Sequence, residues 1–283
     1  MSSILVIGSI AWDEVVRLEA PLRIAAHNDG HWVSRRIGGG AANTAMALAR
    51  VSDRAIVVSA AGQDEVGQRL VAELAEVGVE VGLIHRPAGD TTRSLILLDA
   101  SGERTIVNLA RAAVPLPPDL AEIAADCCYA RSRDPALTPV LASRAESGMV
   151  VAHVPPLQAG CRPAQVLVGS ASDLDHAFLA DPFSAGRRIA GDVLEWVVVT
   201  RGSDGAEAYS DASRIAESAP HVDVVDSTGA GDVFAAGLVH SLAAGEDMRA
   251  ALRTAVAWGA ASVQYDGTIP PEDFADIASS LLR

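Results

Sequence analysis

Seven residues near the C-terminus combine an anion cradle with a base: Asp226, Ser227, Thr228, Gly229, Ala230, Gly231 and Asp232. They follow the mostly apolar run 222–225. They precede Val233, Phe234, Ala235, Ala236, Gly237, Leu238 and Val239, which read as a buried helix. The order predicts a strand, a tight turn of small residues, and a helix. Backbone N–H groups of such a turn converge at the positive end of a helix dipole and form an anion site. Asp232 sets a carboxylate beside it, suited to take a proton from a hydroxyl as that hydroxyl attacks a phosphoryl group. A glycine-rich turn with an acidic cap and no ligand is the alternative. Two aspartates bracketing the turn favour the site, because a buried carboxylate is costly unless paired or used.

Three other groups could serve such a site. Gly38, Gly39 and Gly40 let the backbone come within contact distance of a ligand. Asn43, in the first turn of the helix that follows, can both donate and accept hydrogen bonds, as a sugar hydroxyl requires. Asp13, after the first strand and Gly8–Ser9, could accept two hydrogen bonds from vicinal hydroxyls, or could simply cap a turn. Thr200, Arg201 and Gly202 end an apolar strand, where small residues would admit a nucleotide base or phosphate or form an ordinary hairpin.

The elements that must position these residues alternate. Strands are predicted at 3–8, 55–60, 79–84, 127–130, 149–153, 165–169, 195–200 and 206–210. Helices are predicted at 41–50, 65–77, 119–125, 135–146, 230–244, 248–265 and 271–282. This is the pattern of an α/β fold with a doubly wound, mainly parallel sheet and helices on both faces, in which ligands sit at the carboxyl ends of strands. Two stretches break the alternation. Residues 13–37 alternate over short runs, and 93–98 and 103–109 flank a hairpin turn at 100–102. Together, about 13–37 and 91–110 would make a small separate β-sheet on a single domain spanning 1–283.

Composition narrows the chemistry. The 283 residues are 49% apolar with mean hydropathy +0.24, enough for a sizeable core. The 22 positive residues are all arginine. Without lysine there is no P-loop, no protein-kinase strand lysine and no Schiff base. Any phosphate must be held by N–H groups, arginines and a metal ion. A net charge of −14 and the lack of a basic run argue against nucleic acid. Cys127, Cys128 and Cys161 lack metal spacing and point to a reducing, cytoplasmic compartment. No apolar run approaches the length of a membrane span.

The combination resembles the ribokinase-like (PfkB) family of carbohydrate and nucleoside kinases over essentially the whole chain. The N-terminal signature is similar to Gly38, Gly39, Gly40, Ala41, Ala42, Asn43, continuing to Ala61, Gly62, Gln63, Asp64 and Gly67. The C-terminal one is similar to Asp226 through Asp232. The resemblance implies an ATP-dependent kinase that phosphorylates a hydroxymethyl group, with Asp232 as base and the N–H groups of Gly229, Ala230, Gly231 and Asp232 as the anion hole. It implies that Asp13, Gly39, Gly40 and Asn43 hold a sugar or nucleoside. Thr200, Gly202, Thr228, Ser170, Asp173 and the stretch 256–259, Val256 included, would serve ATP and Mg²⁺. Asp226, with backbone near Gly267, would match a monovalent-cation (K⁺) loop, and the small sheet would be a lid that also pairs two subunits in a homodimer.

Three positions depart from the family pattern. Ser170 and Asp173 stand where an Asn-x-x-Glu motif is expected, with the acid shortened, which would affect Mg²⁺ handling. Gly40 and Ala11 replace the Lys and Asn of ribokinases proper, which disfavours ribose itself. Arg131, Ser132 and Arg133 replace an acidic sugar contact. Two arginines there point to an anionic acceptor such as a sugar acid or sugar phosphate, or to a solvent-facing loop. A nucleoside kinase, with Trp12 lining a base pocket, and a non-catalytic sugar- or nucleotide-binding protein remain as alternatives.

Overall fold

The computed structural model describes residues 1–99 and 104–282; the hairpin turn expected at 100–102 lies outside the described residues. The first apolar run forms β1 (Ser3–Ile7), whose alternation divides the core. Ile4 and Val6 face one side and join a cluster built with helices α1 (Gly40–Arg50), α2 (Glu65–Val77), α6 (Ala230–Ala243), α7 (Met248–Ser262) and α8 (Phe274–Ser280). Leu5 and Ile7 face the other and join a cluster that includes α3 (Thr138–Ser147), α4 (His176–Ala180) and α5 (Pro182–Ala190). A strand with apolar residues on both faces needs helices on both, as a mainly parallel sheet provides.

Among the described residues the strands form two sheets. In the larger, β1 lies between β4 (Arg54–Ala60) and β8 (Cys127–Ala130), parallel to both. β5 (Ile84–His85) extends one side. β9 (Met149–Val154), β10 (Val166–Ser170), β11 (Trp196–Thr200), β12 (Ala206–Tyr209) and β13 (Arg214–Glu217) extend the other, the last two pairings antiparallel. The smaller sheet has the order β3-β2-β6-β7. β2 (Ala11–Leu18) pairs antiparallel with β3 (Gly30–Gly38) and parallel with β6 (Arg93–Leu98), which in turn pairs antiparallel with β7 (Arg104–Ala110). This is the large parallel sheet with a separate small one that the sequence implied.

Several local expectations are corrected. Residues 119–125 form turns, not a helix, because the buried Arg144 guanidinium takes the carbonyls of Leu120 and Ile123 that a helix would have used internally. Of the strand expected at 79–84, only a bridge from Glu80 to Ile56 and the short β5 remain. Residues 222–225 are irregular: Val224 and Val225 are exposed, and the N–H of Val225 donates to the Val263 carbonyl after α7, 2.7 Å away. The Asp226–Asp232 turn therefore leaves an extended segment, not a sheet strand. β13, α4 and α5 were not foreseen.

Candidate active site

α6 begins at Gly229, which holds φ +80°, a left-handed value open to glycine. Of the four N–H groups expected to form an anion hole, two are already bonded: Asp232 to the Gly229 carbonyl at 2.9 Å and Ala230 to that of Ser227 at 3.4 Å. Those of Gly229 and Gly231 have no partner among the described residues and stay available. Asp232 lies in the first turn, and its carboxylate is held from both sides. Asn43 Nδ2 donates to one oxygen at 2.9 Å and Arg131 Nε to the other at 3.1 Å. The Asp232 carbonyl accepts from Thr44 Oγ1 at 3.1 Å, so α1 and α6 fix the same residue.

The glycine run makes this convergence possible. A Cβ at Gly38 would lie 1.9 Å from a carboxylate oxygen of Asp13, and one at Gly40 would lie 2.7 Å from Arg131 Nε and 3.0 Å from Asp232 Oδ1. Gly39 has φ +91°, with the Ser9 carbonyl 2.5 Å from where its Cβ would stand. Asp13 therefore packs beside the run, buried. Burial pushes its carboxyl up and the charge of Asp232 adds to the rise, while a hydrogen bond to Ser94 and the charge of Arg36 oppose it.

Arg36, on β3, reaches from the small sheet to the Asp226–Asp232 turn. One terminal nitrogen pairs with Asp226 Oδ2 and the other donates to Thr228 Oγ1 at 3.0 Å. The second Asp226 oxygen accepts the Thr228 N–H at 2.8 Å. Burial alone would raise the Asp226 carboxyl, but the Thr228 hydrogen bonds and Arg36 hold it below its ordinary value. Both oxygens are engaged and a guanidinium supplies positive charge where a monovalent cation was expected. Thr228 likewise faces Arg36, where a nucleotide contact was expected.

Beside the turn lies a cavity of about 400 Å³, walled by Ser170, Thr200, Gly202, Ala230, Gly231, Phe234, Val256 and Gly259 and closed by the irregular segment from Ala219 to Val224. The ends of β10 and β11, the start of α6 and the face of α7 thus meet around one space. Asp173 is exposed on the turn after β10 and does not line it; Ser170 Oγ lies 2.9 Å from Ser172 Oγ. No cluster of three metal-ligating side chains exists among the described residues. Trp12 is buried in the core with the Arg69 guanidinium 4.8 Å from its ring centroid, which makes it a packing residue and not the wall of a base pocket. Arg133 is exposed, without a hydrogen-bond or ion-pair partner among the described residues.

Residues 1–275 match the family described as pfkB family carbohydrate kinase. The chain belongs to the pfkB family. Within that family, it is 30% identical over 282 residues to an ATP-dependent ribose-1-phosphate kinase of Halopiger xanaduensis, covering 94% of each chain. It is 26% identical over 301 residues to a ribokinase of Schizosaccharomyces pombe, covering 94% of this chain and 93% of that one. Among solved structures, Arabidopsis thaliana ribokinase complexed with ribose and ATP superposes with a TM-score of 0.83 at 21% identity, covering 100% of this chain and 99% of that one. The relatives are carbohydrate kinases and the fold is that of ribokinase. No helix among the described residues of this pfkB protein is long and apolar enough to cross a membrane.

Sequence reasoning missed Arg36, Thr44 and the 219–224 wall. Arg36 had one available signal: it lies on a strand that ends at the glycine run, two residues before Gly38. Thr44 had the weaker signal of adjoining Asn43. The wall segment had none.

Proposed function

We propose that this chain transfers the γ-phosphoryl group of ATP to a primary hydroxyl of a sugar. The observation that carries the reading is the Asp232 carboxylate, clamped between Asn43 and Arg131 at the α6 N-terminus where the 400 Å³ cavity ends on Ala230 and Gly231. The acceptor oxygen attacks the γ-phosphorus, its proton passes to Asp232, and the bond to the β-phosphate oxygen breaks to release ADP. The free N–H groups of Gly229 and Gly231 and the α6 dipole stabilise the charge on the transferring group. Asn43 Oδ1 is buried without a partner, and a sugar hydroxyl donating to it would satisfy it. Asp13 and the backbone of Gly39 and Gly40 border the same acceptor space. ATP occupies the cavity past Thr200, Gly202 and Val256. Mg²⁺, when bound, would neutralise phosphate charge; Ser170, on the cavity wall, and Asp173, exposed on the turn that follows it, are the residues assigned to its water shell.

The Halopiger relative's name makes ribose 1-phosphate the first acceptor to try. The small sheet acts as the lid and as the contact of a homodimer. Three free, buried cysteines suit a reducing cytoplasm, where ATP is supplied. The test is Asp232→Asn with coupled ADP detection across sugars, sugar phosphates and nucleosides. Turnover should fall at least about 10²-fold. Near-normal turnover in the variant removes Asp232 from the role. Binding without phosphorylation by the unaltered protein would instead favour a non-catalytic binder.

A further inference from the structure

Arg131 holds Asp232 with one edge of its guanidinium and leaves the other edge unused. Nε donates to the base at 3.1 Å, and the terminal N–H groups hydrogen-bond to nothing among the described residues. The side chain keeps 27% of its surface accessible. A guanidinium has donors only, in a planar fork whose spacing matches two oxygens of a phosphate or carboxylate. We propose that this open edge binds an anionic group of the acceptor, so that the substrate is a sugar phosphate or sugar acid and Arg131 is the residue that selects it. This rests on the reading of Asp232 as base.

The surroundings are shaped to keep an arginine here. Gly40 stands where a Cβ would come within 2.7 Å of Nε, and Gly8 where one would come within 3.1 Å of the Arg131 Cβ. The loop is anchored where it leaves β8: the N–H groups of Arg131 and Ser132 donate to the Ile7 carbonyl at 2.8 and 3.0 Å. Beneath it lies Arg162, 0% exposed, donating to the Ser132 carbonyl at 2.8 Å and to that of Cys161 at 3.0 Å, with Nε unpartnered. Arg162 hydrogen-bonds to no carboxylate among the described residues, so a second positive charge is stored under the loop, opposed by the charge of Asp134, while Asp232 and, less strongly, Asp173 oppose that of Arg131. His153 registers the field. Burial, then Arg131, Arg133 and Arg162, press its pKa to about 3, so it stays neutral and adds no charge. A neutral sugar would leave the terminal N–H groups of Arg131 without a matching anion, whereas an anionic acceptor answers them.

The experiment measures steady-state ADP release from Mg·ATP with ribose 1-phosphate, gluconate and ribose as acceptors, for the unaltered protein, Arg131→Gln and Arg131→Lys. R131Q also releases Asp232, so turnover should fall with every acceptor; the ratio of kcat/KM for the preferred charged acceptor to that for ribose should fall in addition by about 10- to 100-fold, chiefly through KM. R131K, which keeps the charge without the fork, should fall between. The phosphate and carboxylate arms show which anion is taken, and preference for either supports the proposal. Preference for ribose, or equal proportional losses on charged and neutral acceptors, overturns it and leaves the kinase reading standing. Calorimetric binding to Asp232→Asn supplies a readout without turnover: ribose 1-phosphate or gluconate should bind more tightly than ribose, and equal affinities overturn the proposal. If the unaltered protein phosphorylates no acceptor, the base assignment falls, and this binding comparison then judges Arg131 alone.

Discussion

Arg36 sets a positive charge against Asp226, the residue expected to serve a monovalent cation. It is fixed covalently to the small sheet, it reaches Thr228 as well, and its Nε is buried without a partner. A charge supplied this way needs no ion from solution, and a second cation beside it would meet repulsion. Turnover should therefore be the same in potassium chloride and in choline chloride at equal ionic strength. Strong activation by potassium over choline in the coupled assay would show that Arg36 leaves Asp226 during the cycle. The same contact ties β3 to the phosphate turn, so Arg36→Met should lower turnover even where potassium is abundant.

Between residues and the whole lies the clasp at the start of α2. Asp64 caps that helix, accepting from the Gly67 N–H at 2.9 Å, and also accepts from the Thr91 N–H at 3.2 Å and the Thr91 hydroxyl. Thr91 leads directly into β6, so one carboxylate joins the large α/β layer to the small sheet. Gly62 and Gly67 permit it: a Cβ on either would lie 2.2 Å from a carbonyl oxygen. Burial would raise Asp64, but the Thr91 and Gly67 hydrogen bonds outweigh it and hold the carboxyl below its ordinary 3.8. A depressed carboxylate contributes stability above its unfolded value and loses it as pH falls through the folded one. Asp64→Ala should thus cost about 1 kcal/mol or more near neutrality, as a lost cap does, with the difference from the unaltered protein closing in strong acid. Urea midpoints at both pH values measure it, and a gap that widens in acid contradicts the assignment. Gly62, Asp64 and Gly67 stood out in the sequence, as did the glycine run and the Asp226–Asp232 turn, because close backbone approach restricts the residue types allowed; the Thr91 end of the clasp did not. What stayed hidden depended on partners far along the chain. Arg144 unmade a helix at 119–125, Val263 drew residues 222–225 out of any sheet, and Arg36 met Asp226 across the fold.

At the scale of the molecule, the two sheets treat their apolar residues differently. The large sheet is covered by helices on both faces, whereas the small one carries Trp32, Val33, Ile106, Val107 and Leu109 in the open, between 42% and 53% exposed. These side chains lie on β3 and β7, the two edges of that sheet, where unpaired strands and apolar surface invite association. The whole chain carries a net charge of −14, which resists indiscriminate contact, so an apolar patch such as this one is a place where two copies can meet. A self-complementary pairing there would bury both apolar edges at once. It would also couple the lid of one subunit to that of the other. Light scattering after size exclusion should then give twice 29.2 kDa for the unaltered chain. The double variant Trp32→Glu with Leu109→Glu should run at the single mass, because like charges would face each other across the contact. Its ordered core should persist, since neither residue belongs to the buried clusters. Circular dichroism of the double variant verifies that point. A single mass for the unaltered protein at assay concentration would rule out the pairing, and a double variant that remains paired would place the subunit contact elsewhere.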